Sequence, residues 1–254
     1  MVLGDTVTKI AAEKSGIIKP GVPVITGAEN PAVLRVMREV AASRNAECIL
    51  ADTLEPLAEQ LFPVGYQRTN AAVALAVVRE LQSHLPVSTD AVLAGLRQFH
   101  WPGRMQEFTR EDRRLLVDGA HNPAGLRALR ETLIARAGWR PCAVIFGTLA
   151  DKDITGVFAE LGAIASRVLL VPLPSPRSAA PEELARRLTE LHPMLDARVC
   201  GSLAEAMQQT AGEPLTLITG SLYLVCEALE LLEPSAKTEN FGERSLNDWI
   251  PKQV

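Results

Sequence analysis

From residue 100 onward, short apolar runs alternate with longer stretches of helical period. That alternation constrains the fold more than any other feature of the chain. RLLVDGA, CAVIFGT, RVLLVPL, ARVC and LTLITG read as strands. Their near-continuous Val, Ile and Leu content is what a parallel sheet buried on both faces demands. Between them the period predicts helices near 123–137, 153–165, 180–192 and 203–211, and SLYLVCEALELLEP predicts a last one. Five strands joined by right-handed helical crossovers make a Rossmann-like, doubly wound, mainly parallel α/β sheet over residues 100–234. The remaining polar residues, 235–254, read as a tail.

The first 99 residues are less self-sufficient. VPVIT (22–26) and ECILA (47–51) read as strands around a helix at 31–45, and an irregular stretch follows. Two capped helical segments then come close together, at 69–85 and 88–99. DTVTKIAAEK reads as a helix with no strand before it, so the chain is expected to begin inside a domain. Pro and Gly in HWPGRMQEF (100–108) interrupt the helical pattern and mark the boundary between the two parts.

Composition narrows the function. At 254 residues and 47% hydrophobic, the chain can bury a substantial core. A net charge of −4 offers no basic footprint for nucleic acid or anionic membrane. No apolar run reaches the length of a membrane span and the start has no signal-peptide core, so the cytoplasm is the expected compartment. The four cysteines form no CxxC pair and are expected to be reduced and structural. No GxGxxG follows any strand, which disfavours a nicotinamide dehydrogenase, and no GxxxxGK[ST] loop is present to cradle phosphate.

Several residues are placed for chemistry. Asp118-Gly119-Ala120-His121-Asn122-Pro123 follows the strand RLLV, where doubly wound sheets bind ligands. The same stretch also reads as a helix cap, with Asn122 capping, Pro123 in the first turn, and Asp118 and His121 incidental. Arg104 on a Pro-Gly turn can present a guanidinium fork to phosphate oxygens. Lys14, beside Glu13 and ahead of Gly16, reads by itself as half of a solvated charged pair at a helix end that Gly16 caps. Asn70 reads as a helix cap, and Gly220-Ser221 as either an anion-holding helix start or a tight turn.

Taken in order, LGDTVTKIAAEKSGIIKPGVPVITG, RTNAAVALA, PGRMQ, LLVDGAHNPAGLRAL, FGTLADKDI and LITGSLYLV resemble the folylpolyglutamate synthases and bifunctional dihydrofolate synthases of the Mur ligase superfamily. The resemblance implies that residues 1–99 are the distal part of a Mur-ligase-type central ATP-binding domain and 100–234 the C-terminal Mur ligase domain. It implies an ATP- and Mg-dependent ligase that activates folate or dihydropteroate as an acyl phosphate and joins it to L-glutamate. Lys14 matches the lysine carbamylated to become a magnesium ligand, and Asn70 the adenine contact. Arg104 matches the phosphate-contacting arginine. Asp118 matches the acid that holds the nucleotide, and His121 a histidine of the same loop needed for activity. The resemblance places DGAHNP at the C-terminal domain's half of an ATP site.

The family's phosphate loop, the remaining magnesium ligands and most of its pterin pocket have no counterpart in these 254 residues. The expectation is therefore a monomer that does not turn over ATP by itself and needs an N-terminal P-loop region as its partner. A peptidoglycan-precursor Mur ligase and a noncatalytic nucleotide-binding module are the alternatives left open.

Overall fold

The computed structural model describes residues 6–51, 56–110, 112–136 and 138–233. The expected tail, 235–254, lies outside the described residues. The chain divides into two compact units that meet between Phe99 and His100.

In the first unit, helix α1 (Val7–Ser15) is capped by Thr6, whose Oγ1 accepts the Lys9 N–H at 3.2 Å. Strand β1 (Val24–Thr26) leads to helix α2 (Pro31–Ser43), with Asn30 as cap and Pro31 in the first turn. Strand β2 (Cys48–Leu50) pairs parallel to β1, Val24 opposite Cys48. Helices α3 (Pro56–Leu61), α4 (Tyr66–Leu81) and α5 (Thr89–Gln98) complete the unit. Their core is rich in alanine: Ala51, Ala58, Ala71, Ala72 and Ala76 surround Leu75. Small side chains let the α4 backbone approach its neighbours closely, and Phe62 meets Phe99 edge-on at 6.4 Å.

Two expectations are corrected here. The stretch read as irregular contains α3. The helix expected at 69–85 begins earlier, at Tyr66 after Gly65 (φ +83°), and ends at Leu81. Asn70 therefore lies inside α4 rather than at its cap.

In the second unit, strands β3 (Gln106–Arg110) and β4 (Arg113–Val117) form an antiparallel hairpin. Then follow α6 (Pro123–Ile134), β5 (Cys142–Phe146), α7 (Ile154–Leu161), β6 (Ala165–Leu170), α8 (Pro181–Leu191), β7 (Asp196–Val199), α9 (Leu203–Gln209), β8 (Leu215–Thr219) and α10 (Leu222–Leu232). The sheet order is β3-β4-β8-β5-β6-β7, parallel throughout except for β3. The five expected strands are all present, and β3 is a sixth that the reading of 100–108 as an interruption passed over. The α7 helix stops at Leu161 rather than 165, and a short turn over 162–164 leads into β6 at Ala165.

Alternation along the strands divides the core into two layers. Leu116, Val144, Phe146, Val168 and Leu217 face α6, α7 and α8. Leu115, Val117, Ile145, Leu169 and Ile218 face α9 and α10. A sheet buried on both faces needs this two-sided apolar content, and it gives the α/β/α sandwich of a doubly wound domain. No described helix is long and apolar enough to cross a membrane.

Phe158 of α7 is fully buried and meets Phe146 of β5 at 5.5 Å between ring centroids. Phe158→Ala is expected to destabilise the second unit by about 3–5 kcal/mol, read as a lower denaturant midpoint with unchanged slope. Burial also pushes the Cys142 thiol up to about 12 and raises that of Cys200. Their thiolates are therefore scarce near neutral pH. Iodoacetamide at pH 8 is expected to leave Cys142 and Cys200 unmodified in the native chain and to modify both after unfolding, as mass spectrometry of tryptic peptides would record.

Candidate active-site rim

Because β8 lies between β4 and β5, the carboxyl ends of three neighbouring strands deliver three loops to one rim. The Gly220 N–H donates to the Ala120 carbonyl at 2.9 Å, and Thr219 Oγ1 donates to the same oxygen at 3.2 Å. The Gly147 N–H reaches Thr219 O at 3.4 Å. Gly220 adopts φ +111°, and a Cβ there would fall 2.6 Å from the Gly147 carbonyl oxygen. Only glycine lets these loops approach so closely.

Asp118 opens the first loop and is 1% exposed. Its Oδ1 accepts the Ala120 N–H at 2.9 Å, and its Oδ2 accepts the Met105 N–H at 3.0 Å. The second bond fastens the Pro102-Gly103-Arg104-Met105 turn to the loop. The Gly119 N–H adds another tie by donating to Gly103 O at 2.9 Å. A Cβ built on Gly119 would lie 3.6 Å from Arg104 Nη1 and 2.7 Å from Leu222 Cδ2. The guanidinium thus lies along Gly119, near the start of α10.

His121 Nδ1 is 2.8 Å from Gly119 O. A carbonyl only accepts, so Nδ1 carries the proton in this contact, and Nε2 of the neutral ring is the nitrogen that can take one. Asn122 caps α6, its Oδ1 accepting the Gly125 N–H at 2.8 Å, with Pro123 in the first turn. The cap and the rim therefore coexist in one loop.

The structure brings Arg104, Asp118 and His121 together. Lys14 and Asn70 belong to the other unit, on different helices. Lys14 is exposed in the last turn of α1, which ends at Gly16 in the right-handed region, not the left-handed one. Asn70 is exposed on α4 and donates through Nδ2 to Gln67 Oε1 at 3.0 Å. Among the described residues no group of three or more His, Cys, Asp or Glu side chains gathers for a metal.

Three further rim residues, within PGRMQ and FGTLADKDI, have surroundings that those motifs do not specify. Met105 sits at φ +50° without being glycine. Gln106 is buried under the Arg104 turn, its Oε1 accepting the Gly103 N–H at 2.8 Å. Thr148, after β5, buries a hydroxyl without a hydrogen-bond partner. Behind it the loops after β5 and β6 are cross-tied, Ala179 N–H to Thr148 O and Ala150 N–H to Arg177 O, each at 2.9 Å. The Arg177 guanidinium, 2.7 Å from Asp151, holds that carboxyl below the usual range. PGRMQ marks the turn as a segment, but the contacts of Met105 and Gln106 arise from the return of the chain to Asp118.

Residues 103–222 match the Mur ligase, glutamate ligase domain. The chain is 32% identical to folylpolyglutamate synthase of Lacticaseibacillus casei, over 91% of its own length and 58% of that protein's. Among solved structures, it is similar to Mycobacterium tuberculosis folylpolyglutamate synthase complexed with ADP and AMPPCP, with TM-score 0.79 and 26% identity over 91% of this chain and 60% of that one. It is also similar to the bifunctional folylpolyglutamate synthase/dihydrofolate synthase of Yersinia pestis complexed with AMPPNP and Mn ion, with TM-score 0.73 and 27% identity over 91% and 58% of the two chains. The chain thus spans a little under two thirds of the length of each of these three proteins. Residues 103–222 thus carry a Mur ligase glutamate ligase domain, in a chain that is similar over nine tenths of its length to folylpolyglutamate synthases.

Proposed function

We propose that this chain is the glutamate-ligase-bearing part of an ATP-dependent ligase that adds L-glutamate to folate or dihydropteroate. In that reaction an oxygen of the acceptor's terminal carboxylate attacks the γ-phosphorus of ATP, and ADP leaves. The amine of glutamate then attacks the acyl carbon, and phosphate departs as the amide forms. Both steps gather negative charge on phosphate oxygens, so positioned cations are the main requirement.

The observation that carries the reading is the Arg104–Asp118–His121 rim, built at the carboxyl ends of the central strands inside the matched domain. Arg104 is the phosphate ligand, a guanidinium whose turn is pinned by Asp118 and Gly119. Asp118 holds the nucleotide side of the rim. His121, with Nδ1 committed to Gly119 O, offers Nε2 to a proton released during amide formation. Asn70 contacts the adenine, and Lys14, as a carbamate, supplies one anionic oxygen to magnesium. Bound magnesium would neutralise phosphate charge. The complexes with ADP, AMPPCP, AMPPNP and Mn among the similar structures support nucleotide and divalent metal as the ligands. Localisation in the cytoplasm and a monomeric state complete the proposal.

A chimera tests it, with residues 1–254 replacing the matching part of the Lacticaseibacillus casei synthase. The expected result is ADP release that requires both glutamate and a folate or dihydropteroate acceptor. Arg104→Ala and Lys14→Ala should each lower it by about a hundredfold or more. A folded chimera that binds ADP but releases none in response to glutamate would overturn the assignment. Near wild-type rates in Arg104→Ala would remove the arginine from it.

A further inference from the structure

We propose that Gln106 is a positioning residue for Arg104, acting through the backbone of the Pro102–Met105 turn and anchored to the far end of α10 by Glu233. The proposal rests on the reading of Arg104 as a phosphate ligand and adds what aims it.

Every backbone donor around Arg104 is committed. The Gly103 N–H goes to Gln106 Oε1 at 2.8 Å, the Arg104 N–H to Trp101 O at 3.2 Å, and the Met105 N–H to Asp118 Oδ2 at 3.0 Å. Two residues of the turn occupy left-handed backbone, Gly103 at φ +69° and Met105 at φ +50°. A Cβ on Gly103 would lie 2.2 Å from Val225 Cγ1, so the turn is seated directly on α10. Gly103 adopts this backbone freely, but at Met105 it is costly and persists only where its surroundings hold it. Asp118 holds the turn on the loop side, and Gln106 is the side chain that holds it on the helix side.

Gln106 is 8% exposed and uses both ends of its amide. While Oε1 accepts from Gly103, Nε2 donates to Glu233 Oε1 at 3.3 Å, just past the last turn of α10. Arg110 donates to the Leu232 carbonyl beside it, so β3 is fastened twice to the end of that helix. The other end of α10 starts at Ser221, on the rim. One helix therefore carries the rim at its start, the seat of the Arg104 turn at Val225 and the anchor of Gln106 at its end.

The Gln106–Glu233 pair needs one amide and one acid, and the two are interchangeable in principle. Gln106→Leu removes both contacts. Gln106→Glu keeps an acceptor for Gly103 but sets two carboxylates against each other. The double variant Gln106→Glu with Glu233→Gln restores one acid and one amide with their places exchanged. In the 254-residue chain, the readouts are Gly103 amide exchange and the Arg104 Nε–Hε heteronuclear NOE. Both single variants are expected to speed exchange at Gly103, by roughly tenfold in Gln106→Leu, and to lower the Arg104 NOE to that of a mobile side chain. The double variant should recover both.

Unchanged Gly103 and Arg104 signals in the single variants, or no recovery in the exchanged pair, overturn the positioning role even if the unfolding midpoint falls. A separate ADP titration of the wild type and Arg104→Ala tests the phosphate reading beneath it. Weaker ADP binding by Arg104→Ala supports that reading, and equal binding overturns it without altering what the Gly103 and Arg104 signals decide.

Discussion

The carboxylate of Asp118 is the interaction on which the rim depends. A buried carboxylate is costly unless its oxygens receive hydrogen bonds, and here each accepts a backbone N–H. The two donors lie on either side of a hairpin, whose pairing of Gln106 with Val117 sets Met105 opposite Asp118. Ala120 lies two residues on in the same loop, while Met105 lies 13 residues back, across the β3–β4 hairpin. One side chain thus shapes the loop after β4 and captures the turn that carries Arg104. Met105 pays with a left-handed backbone, a strain on the order of 1–3 kcal/mol that charge-assisted bonding of its N–H can offset.

Strand order gives that interaction its place. In the chain, β4 is followed by β5, yet in the sheet β8 is inserted between them. The insertion brings the last strand's exit, Gly220-Ser221, against the first parallel strand's exit, Asp118–Asn122, with Gly147-Thr148 on the other side. Backbone bonds at Ala120 and Thr219 then join the three exits. A sheet with its parallel strands in simple sequence order would have spread these loops over its whole width.

The parts of this design that were legible in the sequence are those written in runs of like residues. CAVIF and LTLIT can only be strands with both faces covered, and they are. The hairpin strand β3 was not legible, because QEFTR contains one large apolar residue and sits at an edge, where a single face is packed and the pattern is thin. Asn70 read as a cap because Asn commonly caps. The helix instead starts at Gly65, which supplies backbone freedom and no side-chain bond, a start without a polar signature. The loop DGAHNP was legible as a junction. What escaped was the partner of its aspartate, since a contact from Asp118 to the backbone of Met105 depends on backbone geometry and not on residue type.

In DGAHNP the helix cap and the course of the rim loop are one arrangement. Asn122 and Pro123 fix where α6 begins, which fixes the direction in which residues 119–121 must run. That course lets the Gly119 carbonyl meet His121 Nδ1, and lets the Gly119 N–H meet the Gly103 carbonyl. Removing the cap would therefore act on the imidazole and on the Arg104 turn without touching either. Under the proposed function, the groups that this course of the chain leaves for chemistry are His121 Nε2 and the Arg104 guanidinium.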